Sequence, residues 1–466
     1  MSTSLATPPA LPWYRGLTGY QWFVLAACSL GWLFDTMDQQ LFILARAPAM
    51  ADLLGGQVAP EEIKRFSGIA TMILMFGWAT GGIVFGMLGD RWGRAKTMLL
   101  AVLAYSLFTG LSALSVSWID FSVYRFLTGV GVGGQFAAAV SLVAEVMPAR
   151  SRPFALGTLM ALSGIGNMSA AGISYLLKPS GEFWGVDGWR LLFLVGAVPA
   201  LLVLVAIRRL KEPEGWIQAK KAAMAGSREK QHQLGSLREL FGDARWLRHT
   251  LIGITMALAG IMGLWGIGFW MPELVREVLR DVPAGERDTY VSTAMLLQNA
   301  GAFLGIYAYS YLTSWIGRRP AFAVSFLAAL TAVVGVFGFM TQPSHVWWMP
   351  PILGFATLMA FGGYSIYFPE LFPARLRSTG VGFCYNTARY VAALAPLALG
   401  TLASAFAAPL GSERAARGLS ELTFLGSLGG GDNPIRYAAI VVASVFLLGL
   451  LALPFAPETK DKPLPE

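Results

Sequence analysis

Charged residues are scarce in this chain of 466 residues: Asp, Glu, Lys and Arg make up 13%, and hydrophobic residues make up 55%. An ordinary soluble domain has about 25% charged residues. Long uncharged windows recur, each close to the roughly 20 residues with which a helix crosses a bilayer. The scarcity of charge therefore excludes an ordinary soluble protein and indicates a helical membrane protein. An outer-membrane barrel is also excluded, because short alternating strands are missing.

Cysteine and histidine are rare as well, with two and three residues. Cys28 and Cys384 lie in hydrophobic windows without a CxxC partner or metal-ligand spacing. No HExxH and no Gly-x-Ser-x-Gly motif is present. We therefore expect no metal, no cofactor and no enzymatic activity.

The uncharged windows predict about twelve transmembrane helices by the hydropathy rule. Eight windows are clean, and four more contain polar or charged residues. The clean windows are 66–89, 97–119, 126–144, 153–177, 250–272, 320–344, 346–369 and 437–457. The other four lie around 20–45, 191–207, 289–312 and 378–406.

Two charged segments occur twice in this apolar chain. EVMPARSRPFALG at 145–157 returns as ELFPARLRSTGVG at 370–382, and GDRWGRAK at 89–96 returns as TSWIGRRP at 313–320. The two pairs share nearly the same offset, so chance repetition is a poor explanation. The sequence predicts an all-α membrane protein with two six-helix pseudo-repeat bundles in tandem.

Composition sets the predicted boundaries and orientation. We expect a tail at 1–18, bundles at 19–208 and 247–456, a linker at 209–246 and a second tail at 457–466. Most lysines and arginines fall in segments on one side of this topology, which predicts that both termini are cytoplasmic in a plasma (cell inner) membrane. This bias explains the net charge of +8 without nucleic acid. The linker is either solvated or lies on anionic lipid, and we expect a monomer.

The repeated segments place charges where several spans meet the same membrane surface. Ion pairs among them would hold the two bundles together as a latch; alternatively, the charges only anchor the helices at the lipid headgroups. We favour the latch because acids and arginines recur together. The predicted cytoplasmic gate consists of Gly89, Asp90, Arg91, Gly93, Arg94, Glu145, Arg150, Arg152, Gly317, Arg318, Glu370, Arg375 and Arg377.

Acidic residues within the first predicted span, around 20–45, are candidates for a proton site. Asp35, Asp38 and Gln39 are three or four residues apart, which predicts one shared helix face. Two neighbouring carboxylates resist ionising together, so one should hold a proton. Arg125, at the start of the fourth predicted span, is the cation expected nearby. Alternatively, the span ends early and both acids lie in a solvated loop.

Arg389 is a cation within the eleventh window, and Tyr385 and Asn386 precede it on the same helical face. A guanidinium with a phenol and an amide could hold a carboxylate at two points; the alternative is a structural pair with a carbonyl or an acid. Further candidates for a small-molecule site are polar or aromatic residues in other windows. They are Gln39, Trp265, Gln298, Asn299 and Tyr364.

Five segments carry a resemblance to a known family. GDRWGRAK resembles the signature loop of the major facilitator superfamily, and RFLTG at 125–129 is similar to its second motif. PELFPARLRSTG and the terminal PETK resemble the branch of sugar porters and metabolite–proton symporters. The Asp-x-x-Asp of the first window resembles the acidic motif of aromatic-acid, sialate and nicotinate symporters. One departure is Ser314, which stands where Asp90 stands in the first half, and implies a weaker latch there.

The resemblance implies two bundles that rock about a central site, and with it proton-coupled import of a small organic anion, a monocarboxylate such as an aromatic acid or a sialate, by alternating access. The partners expected are this substrate, the proton and the bilayer. A sugar or polyol porter is the alternative, although the paired-Gln motif of sugar porters is missing from 253–270. A proton-driven drug exporter and a non-transporting sensor are further alternatives.

Overall fold

The structure is a computed structural model that describes residues 12–55, 58–199, 201, 209–225, 233–394, 401–403, 405–406 and 433–465. Within these residues the chain forms sixteen α-helices, three short 3-10 helices and one two-stranded antiparallel hairpin. The predicted spans near 191–207 and 378–406 extend partly outside the described residues.

The first half contains six helices and the hairpin. Its elements are α1 (Gly19–Leu53), α2 (Pro60–Trp92), α3 (Arg94–Ser112), α4 (Trp118–Val146), α5 (Arg152–Leu177), β1 (Glu182–Phe183), β2 (Val186–Asp187) and α6 (Gly188–Gly196). Two of the helices begin with a capping box, in which a hydroxyl and the side chain three residues later satisfy free N–H groups. Thr18 pairs with Gln21 in this way at α1, and Ser117 with Asp120 at α4.

Two helices lie in the linker, and eight more follow. The linker carries α7 (Glu214–Ala225) and α8 (Leu237–Gly242). The second half contains α9 (Ala244–Gly266), α10 (Met271–Val278), α11 (Ala284–Ile316), α12 (Arg318–Phe339), α13 (Met349–Leu371), α14 (Arg377–Ala392), α15 (Pro434–Ala443) and α16 (Val445–Ala452). The 3-10 helices are Gly268–Trp270, Pro343–Trp347 and Leu453–Phe455.

Eight helical segments of the described chain are long and apolar enough to cross a membrane. They are Pro60–Trp92, Arg94–Ser112, Trp118–Val146, Arg152–Leu177, Ala244–Trp265, Arg318–Phe339, Met349–Leu371 and Pro434–Phe455. The helices α1 and α11 have 35 and 33 residues and contain the predicted windows around 20–45 and 289–312. Both are long enough to span about 30 Å of hydrocarbon.

The repeat seen in the sequence returns as repeated backbone geometry. Gly93 separates α2 from α3 with φ 119°, and Gly317 separates α11 from α12 with φ 97°. Only glycine adopts such angles without strain, so each half makes the same tight turn at the same place.

The two halves pack against each other mainly along two seams. The first seam joins α2 to α14, and the second joins α5 to α11. Small residues bring the helices close at both seams: a Cβ at Gly82 would meet the Asn386 side chain, and one at Gly157 would meet the Ser310 hydroxyl. The main hydrophobic core runs through both halves, and the space between the seams holds the cavity described next.

Candidate functional site

A cavity of about 140 Å³ lies between the two halves and is lined by both. Its polar lining is formed by Thr36, Gln39, Gln40, Ser163, Asn167, Gln298, Asn299 and Arg389. Its aromatic lining is formed by Trp32, Trp78, Trp265, Phe361 and Tyr385. A concave site with an apolar wall and a few polar groups is typical of small-molecule binding.

Arg389 is the charged side chain of this lining, and its side chain is only 2% exposed. Its Nη1 donates to the Asn386 Oδ1 at 2.9 Å and to the Tyr385 carbonyl at 3.2 Å. The guanidinium lies over the Trp78 ring at 4.3 Å and the Tyr385 ring at 4.2 Å. Its buried Nε has no hydrogen-bond partner among the described residues, and no described carboxylate lies within ion-pair distance.

The two residues predicted to accompany Arg389 take different positions. Tyr385 lines the cavity, and its ring stacks on Phe136 with the centroids 3.9 Å apart. Asn386 lies behind the lining, where its Nδ2 donates to the Gly382 carbonyl at 2.8 Å. Asn386 therefore orients the guanidinium and does not itself line the cavity.

The other predicted binding residues divide in the same way. Gln39, Trp265, Gln298 and Asn299 line the cavity. Tyr364 does not: its hydroxyl donates to the Met256 carbonyl at 2.7 Å, and its ring packs among aromatic residues of the second half.

Asp38 and Arg125 form an ion pair inside the first half, away from the cavity. The closest charged atoms are 3.7 Å apart, and Thr109 donates to the Asp38 Oδ1 at 2.8 Å. Arg125 also donates to Ser112 and Thr128. Apart from the Arg125 Nη1, which has no hydrogen-bond partner among the described residues, the polar atoms of this buried pair are therefore matched within the first half.

Asp35 is buried to 1% exposure, and neither of its carboxyl oxygens has a hydrogen-bond partner among the described residues. It lies close enough to Arg389 for their charges to interact. It does not line the cavity, whereas Gln39 does. Asp35, Asp38 and Gln39 lie within the continuous helix α1, where residues three and four apart share one side, and of the three Gln39 is the one that lines the cavity.

The repeated charged loops meet at one end of the molecule, which we call the basic rim. There Asp90, at the end of α2, accepts hydrogen bonds from the first turn of α14 in the other half. The donors are Ser378 N at 3.1 Å, Thr379 N at 2.8 Å and Thr379 Oγ1 at 2.6 Å. An acid at a helix N-terminus satisfies free N–H groups and complements the helix dipole.

Glu145 is bound by arginines of both halves. Arg94 lies 3.1 Å from its Oε1 and 3.0 Å from Asp90, and Arg377 of the second half lies 2.8 Å from the same Oε1. Arg94 also donates to the Ala374 carbonyl across the interface. We call this network, with the Asp90 cap, the first corner.

The equivalent residues of the second half form the second corner. Arg318 lies 2.8 Å from Glu370, and Thr459 donates to Glu370 at 2.6 Å. Ser314 donates within its own helix, to the Tyr311 carbonyl. Arg152 donates to the Ala144 carbonyl of its own half.

Glu458 of the C-terminal segment caps α12 at the second corner. Glu458 accepts from Arg318 N at 2.9 Å and from Arg319 N at 3.0 Å. Burial acts to raise the pKa of Glu458, but these backbone donors, with those of Lys460 and Thr459, outweigh it and lower the pKa below its ordinary value. The tail is therefore held by an ionised carboxylate.

The remaining predicted gate residues lie around the first corner. Gly89 packs against the Ser378 side chain, and Arg91 donates to the Leu234 carbonyl in the linker. Arg375 pairs with Glu239 of α8 at 2.7 Å, and Arg150 is exposed. The described residues contain no His, Cys, Asp and Glu cluster that could hold a metal ion.

Sequence reasoning missed several lining residues: Trp32, Thr36, Gln40, Trp78, Ser163 and Asn167. Asn167 and Gln40 could have been predicted to line a polar cavity, because amides within a membrane span usually face polar surroundings. Trp78 could not have been predicted in this way, since an aromatic residue in an apolar window usually packs against lipid or core.

Membrane-length helices in two pseudo-equivalent halves around a polar central cavity define a membrane transporter. The family model described as Major Facilitator Superfamily matches residues 28–396. The chain belongs to this superfamily, which confirms the resemblance and the fold class; it is a transporter and not an enzyme.

Three known proteins illustrate the relationship. The cis,cis-muconate transport protein of Acinetobacter baylyi is 29% identical over 74% of this chain and 80% of its own length. The sialic acid transporter NanX of Escherichia coli is 27% identical over 81% of this chain and 86% of its own. The proton:xylose symporter XylE bound to 6-bromo-6-deoxy-D-glucose shares the fold with a TM-score of 0.72 at 17% identity, covering 96% of this chain and 98% of that one.

Proposed function

We propose that this transporter imports a small organic anion together with protons by alternating access. The observation that carries the proposal is Arg389: a buried guanidinium that faces the central cavity without a carboxylate partner among the described residues. An unpaired charge is costly to bury, and an incoming carboxylate would supply the missing partner.

The aromatic groups around Arg389 favour the same substrate class. Trp78 and Tyr385 lie against the faces of the guanidinium, which leaves its edge for a bidentate contact with a planar carboxylate. Two relatives are named for transport of cis,cis-muconate and sialic acid, which are both organic acids.

Asp35 is the group that we propose takes up the proton. Its carboxyl has no donor to stabilise an anion, so the neutral form costs less at this position. Asp38 already has Arg125 and Thr109 as partners. A proton on Asp35 would offset the negative charge that the substrate brings to Arg389, and this neutralisation lowers the cost of moving both across the membrane.

The basic rim is proposed to face the cytoplasm, with both termini on that side of the plasma membrane, because the lysine- and arginine-rich segments gather there. The first corner is then the cytoplasmic latch. A sugar or polyol porter is the second candidate, favoured by the amides of Gln39, Gln40 and Asn167 in the lining.

Uptake into proteoliposomes with an imposed pH gradient tests whether Arg389 binds the carboxylate of a transported organic anion. Arg389→Lys should lose more than tenfold in affinity for the transported acid, because an ammonium cannot reproduce the planar two-point contact. Losing such a buried pair costs about 2–5 kcal/mol. Arg280→Lys, on an exposed arginine, is the matched control. Equal uptake by wild type and Arg389→Lys, or uptake of uncharged sugars instead of acids, would refute the anion proposal.

The same proteoliposomes test whether Asp35 takes up the coupled proton. Asp35→Asn should abolish accumulation down the pH gradient but keep exchange of substrate across the membrane. Asp38→Asn should lower the thermal unfolding temperature of the purified protein, because it leaves Arg125 buried without its acid. Normal accumulation by Asp35→Asn would remove this residue from the coupling step.

A further inference from the structure

An open groove of about 570 Å³ lies on the outer surface of the second half, between α9 and the end of α16. Its walls are mainly apolar, and four of the large side chains in them are between 44% and 66% exposed: Leu251, Leu448, Leu451 and Phe455. Both helices belong to membrane-length segments of the described chain. The groove therefore faces the lipid and not the central cavity.

The length of the groove matches one leaflet of a bilayer. The lining residues of α9 extend from Ala244 to Thr255, which is about 16 Å at a rise of about 1.5 Å per residue. Half of a hydrocarbon core of about 30 Å is about 15 Å. The groove begins at the basic rim, since the His249 ring hydrogen-bonds to the Leu371 carbonyl at 2.9 Å, beside the second corner. The space therefore suits an acyl chain from the leaflet at that end.

Arg248 is the charged side chain of the lining, and it lies at the rim end of the groove. Its Nη2 donates to the Phe455 carbonyl at 2.9 Å, and no acid lies within ion-pair distance of it among the described residues. Arg245 is exposed one turn earlier, with its guanidinium over the Trp246 ring at 4.7 Å. The neighbouring acid, Asp243, accepts from the first N–H groups of α9 and is not part of the lining. The guanidinium groups therefore keep N–H donors for a ligand.

Two other outer grooves of the second half lack this combination. The groove between α12 and α16 contains Arg319, but Glu458 also lines it, and the Arg319 Nε donates to the Leu453 carbonyl at 3.0 Å. The groove formed by α11, α12 and α13 is larger, about 710 Å³, and its described lining contains no charged residue. Of these three grooves, the one between α9 and α16 joins an apolar wall to a cation without an acid.

We propose that the α9–α16 groove binds an anionic glycerophospholipid, with an acyl chain between the helices and the phosphate on Arg248 and Arg245. A guanidinium has five N–H donors in one plane and binds phosphate oxygens at two points. Basic pockets between membrane helices bind anionic headgroups in this way. The site lies outside the central cavity, so the proposal does not depend on which substrate is transported.

A lipid in this groove would support α9 from the side opposite its helical neighbour. Thr250 and Gly253 lie on the other face of α9, at about 100° per residue. There the Cys384 thiol of α14 donates to the Thr250 carbonyl at 3.7 Å, and a Cβ at Gly253 would meet the same sulfur. Because Arg248 also holds the Phe455 carbonyl, the bound lipid would fix the chain that leads into the C-terminal segment. We therefore expect it to raise the thermal unfolding temperature.

Native mass spectrometry and thermal unfolding of the purified full-length protein test the headgroup. The probes are dioleoyl phosphatidylglycerol and dioleoyl phosphatidylcholine. The wild type should retain the anionic lipid about fivefold or more better, and be stabilised more by it. The double variant Arg245→Gln/Arg248→Gln should lose most of this preference, whereas Arg319→Gln, in the α12–α16 groove, should keep it. Inorganic phosphate should not stabilise the wild type, because it cannot fill the apolar groove.

A phosphatidylglycerol with a diazirine in its acyl chain locates the chain in the wild type, without any substitution. After reconstitution and illumination, the label should appear on peptides that contain Leu251 or Leu451. Leu451→Trp, which fills the groove, should reduce this labelling, and Leu304→Trp, in the groove formed by α11, α12 and α13, should not.

Several results would overturn the lipid site. They are equal retention of the two lipids by the wild type, a preference that the double arginine variant keeps, and stabilisation by inorganic phosphate that equals that by the lipid. Labelling confined to other surfaces, or crosslinks between two copies of the chain at this groove, would also overturn it. If the double variant does not elute as a folded monodisperse protein, the labelling of the wild type and of Leu451→Trp decides the question.

Discussion

The two corners of the basic rim are built from the same repeated sequence but make different contacts. At the first corner, Asp90 and Glu145 of the first half accept from Ser378, Thr379 and Arg377 of the second. At the second corner, the partners of Glu370 are Arg318 and Thr459 of the same half.

The difference comes from two positions. Ser314 replaces the acid that Asp90 supplies, and Pro153 stands where Ser378 stands, at the start of the equivalent helix. Proline has no N–H to donate. The second corner therefore lacks the acceptor and one of the backbone donors, and Arg152 is not within ion-pair distance of Glu370 in the described structure.

This asymmetry teaches that the repeat preserves the turn and the local arginine–glutamate pair, while contact across the interface is concentrated at the first corner. We expect the first corner to control opening of the rim and the second to stabilise its own half. Changes at one corner can therefore be compared with matched changes at the other.

Asp90→Ala should have the largest effect. It removes the acceptor of three hydrogen bonds across the interface, and hydrogen bonds to a charged group contribute about 1.5–3 kcal/mol each. The population with an open rim should rise by well over tenfold. Spin labels at Lys96→Cys and Pro320→Cys, both exposed, would report a longer distance by pulsed electron resonance.

The control for Asp90→Ala is Ser314→Ala at the second corner, which should leave the distance distribution unchanged. The native cysteines do not interfere with labelling, since both are buried. If both alanine variants gave the same distribution as the wild type, the first corner would have only a headgroup-anchoring role.

Glu145→Gln should open the rim less than Asp90→Ala, because glutamine keeps an acceptor for Arg377 and loses only the charge. The expected shift is a few-fold to about tenfold, in line with about 1 kcal/mol for an ordinary hydrogen bond against more for a charged one. Glu370→Gln should instead lower the thermal unfolding temperature without lengthening the distance between the labels, since its partners belong to its own half. Opening by Glu370→Gln would contradict the division of roles.

Most of the fold could be predicted from the sequence, because its hydropathy pattern and repeated motifs are strong, local features. Uncharged windows and the doubled motifs led to a two-bundle membrane protein, and the family match confirms it. Arg389 could be identified as a candidate because a charged guanidinium within a membrane span is costly unless it faces a polar cavity or a partner.

What the sequence could not supply was direction around each helix axis. Asp35 and Gln39 are one turn apart, yet only Gln39 faces the cavity. That outcome depends on how α1 is rotated against its neighbours, which packing decides. The Asp90 cap was hidden for a related reason: its donors belong to a helix start far away in the chain, and nothing local marks the pairing.

Ser314→Asp should have the smallest effect, and it sharpens the comparison by restoring the missing acid. Only the acid is restored: Pro153 still lacks an N–H, so at the position of the Ser378 and Thr379 donors the new carboxylate could meet at most the backbone N–H of Phe154. One partly exposed charged contact is worth about 0.5–1 kcal/mol. The label distance should therefore shorten or narrow only slightly. Adding Pro153→Ser should increase that change, because it supplies both an N–H and a hydroxyl. If Ser314→Asp alone closed the rim as strongly as Asp90→Ala opens it, the missing acid would explain the whole asymmetry and the proline would have no part in it.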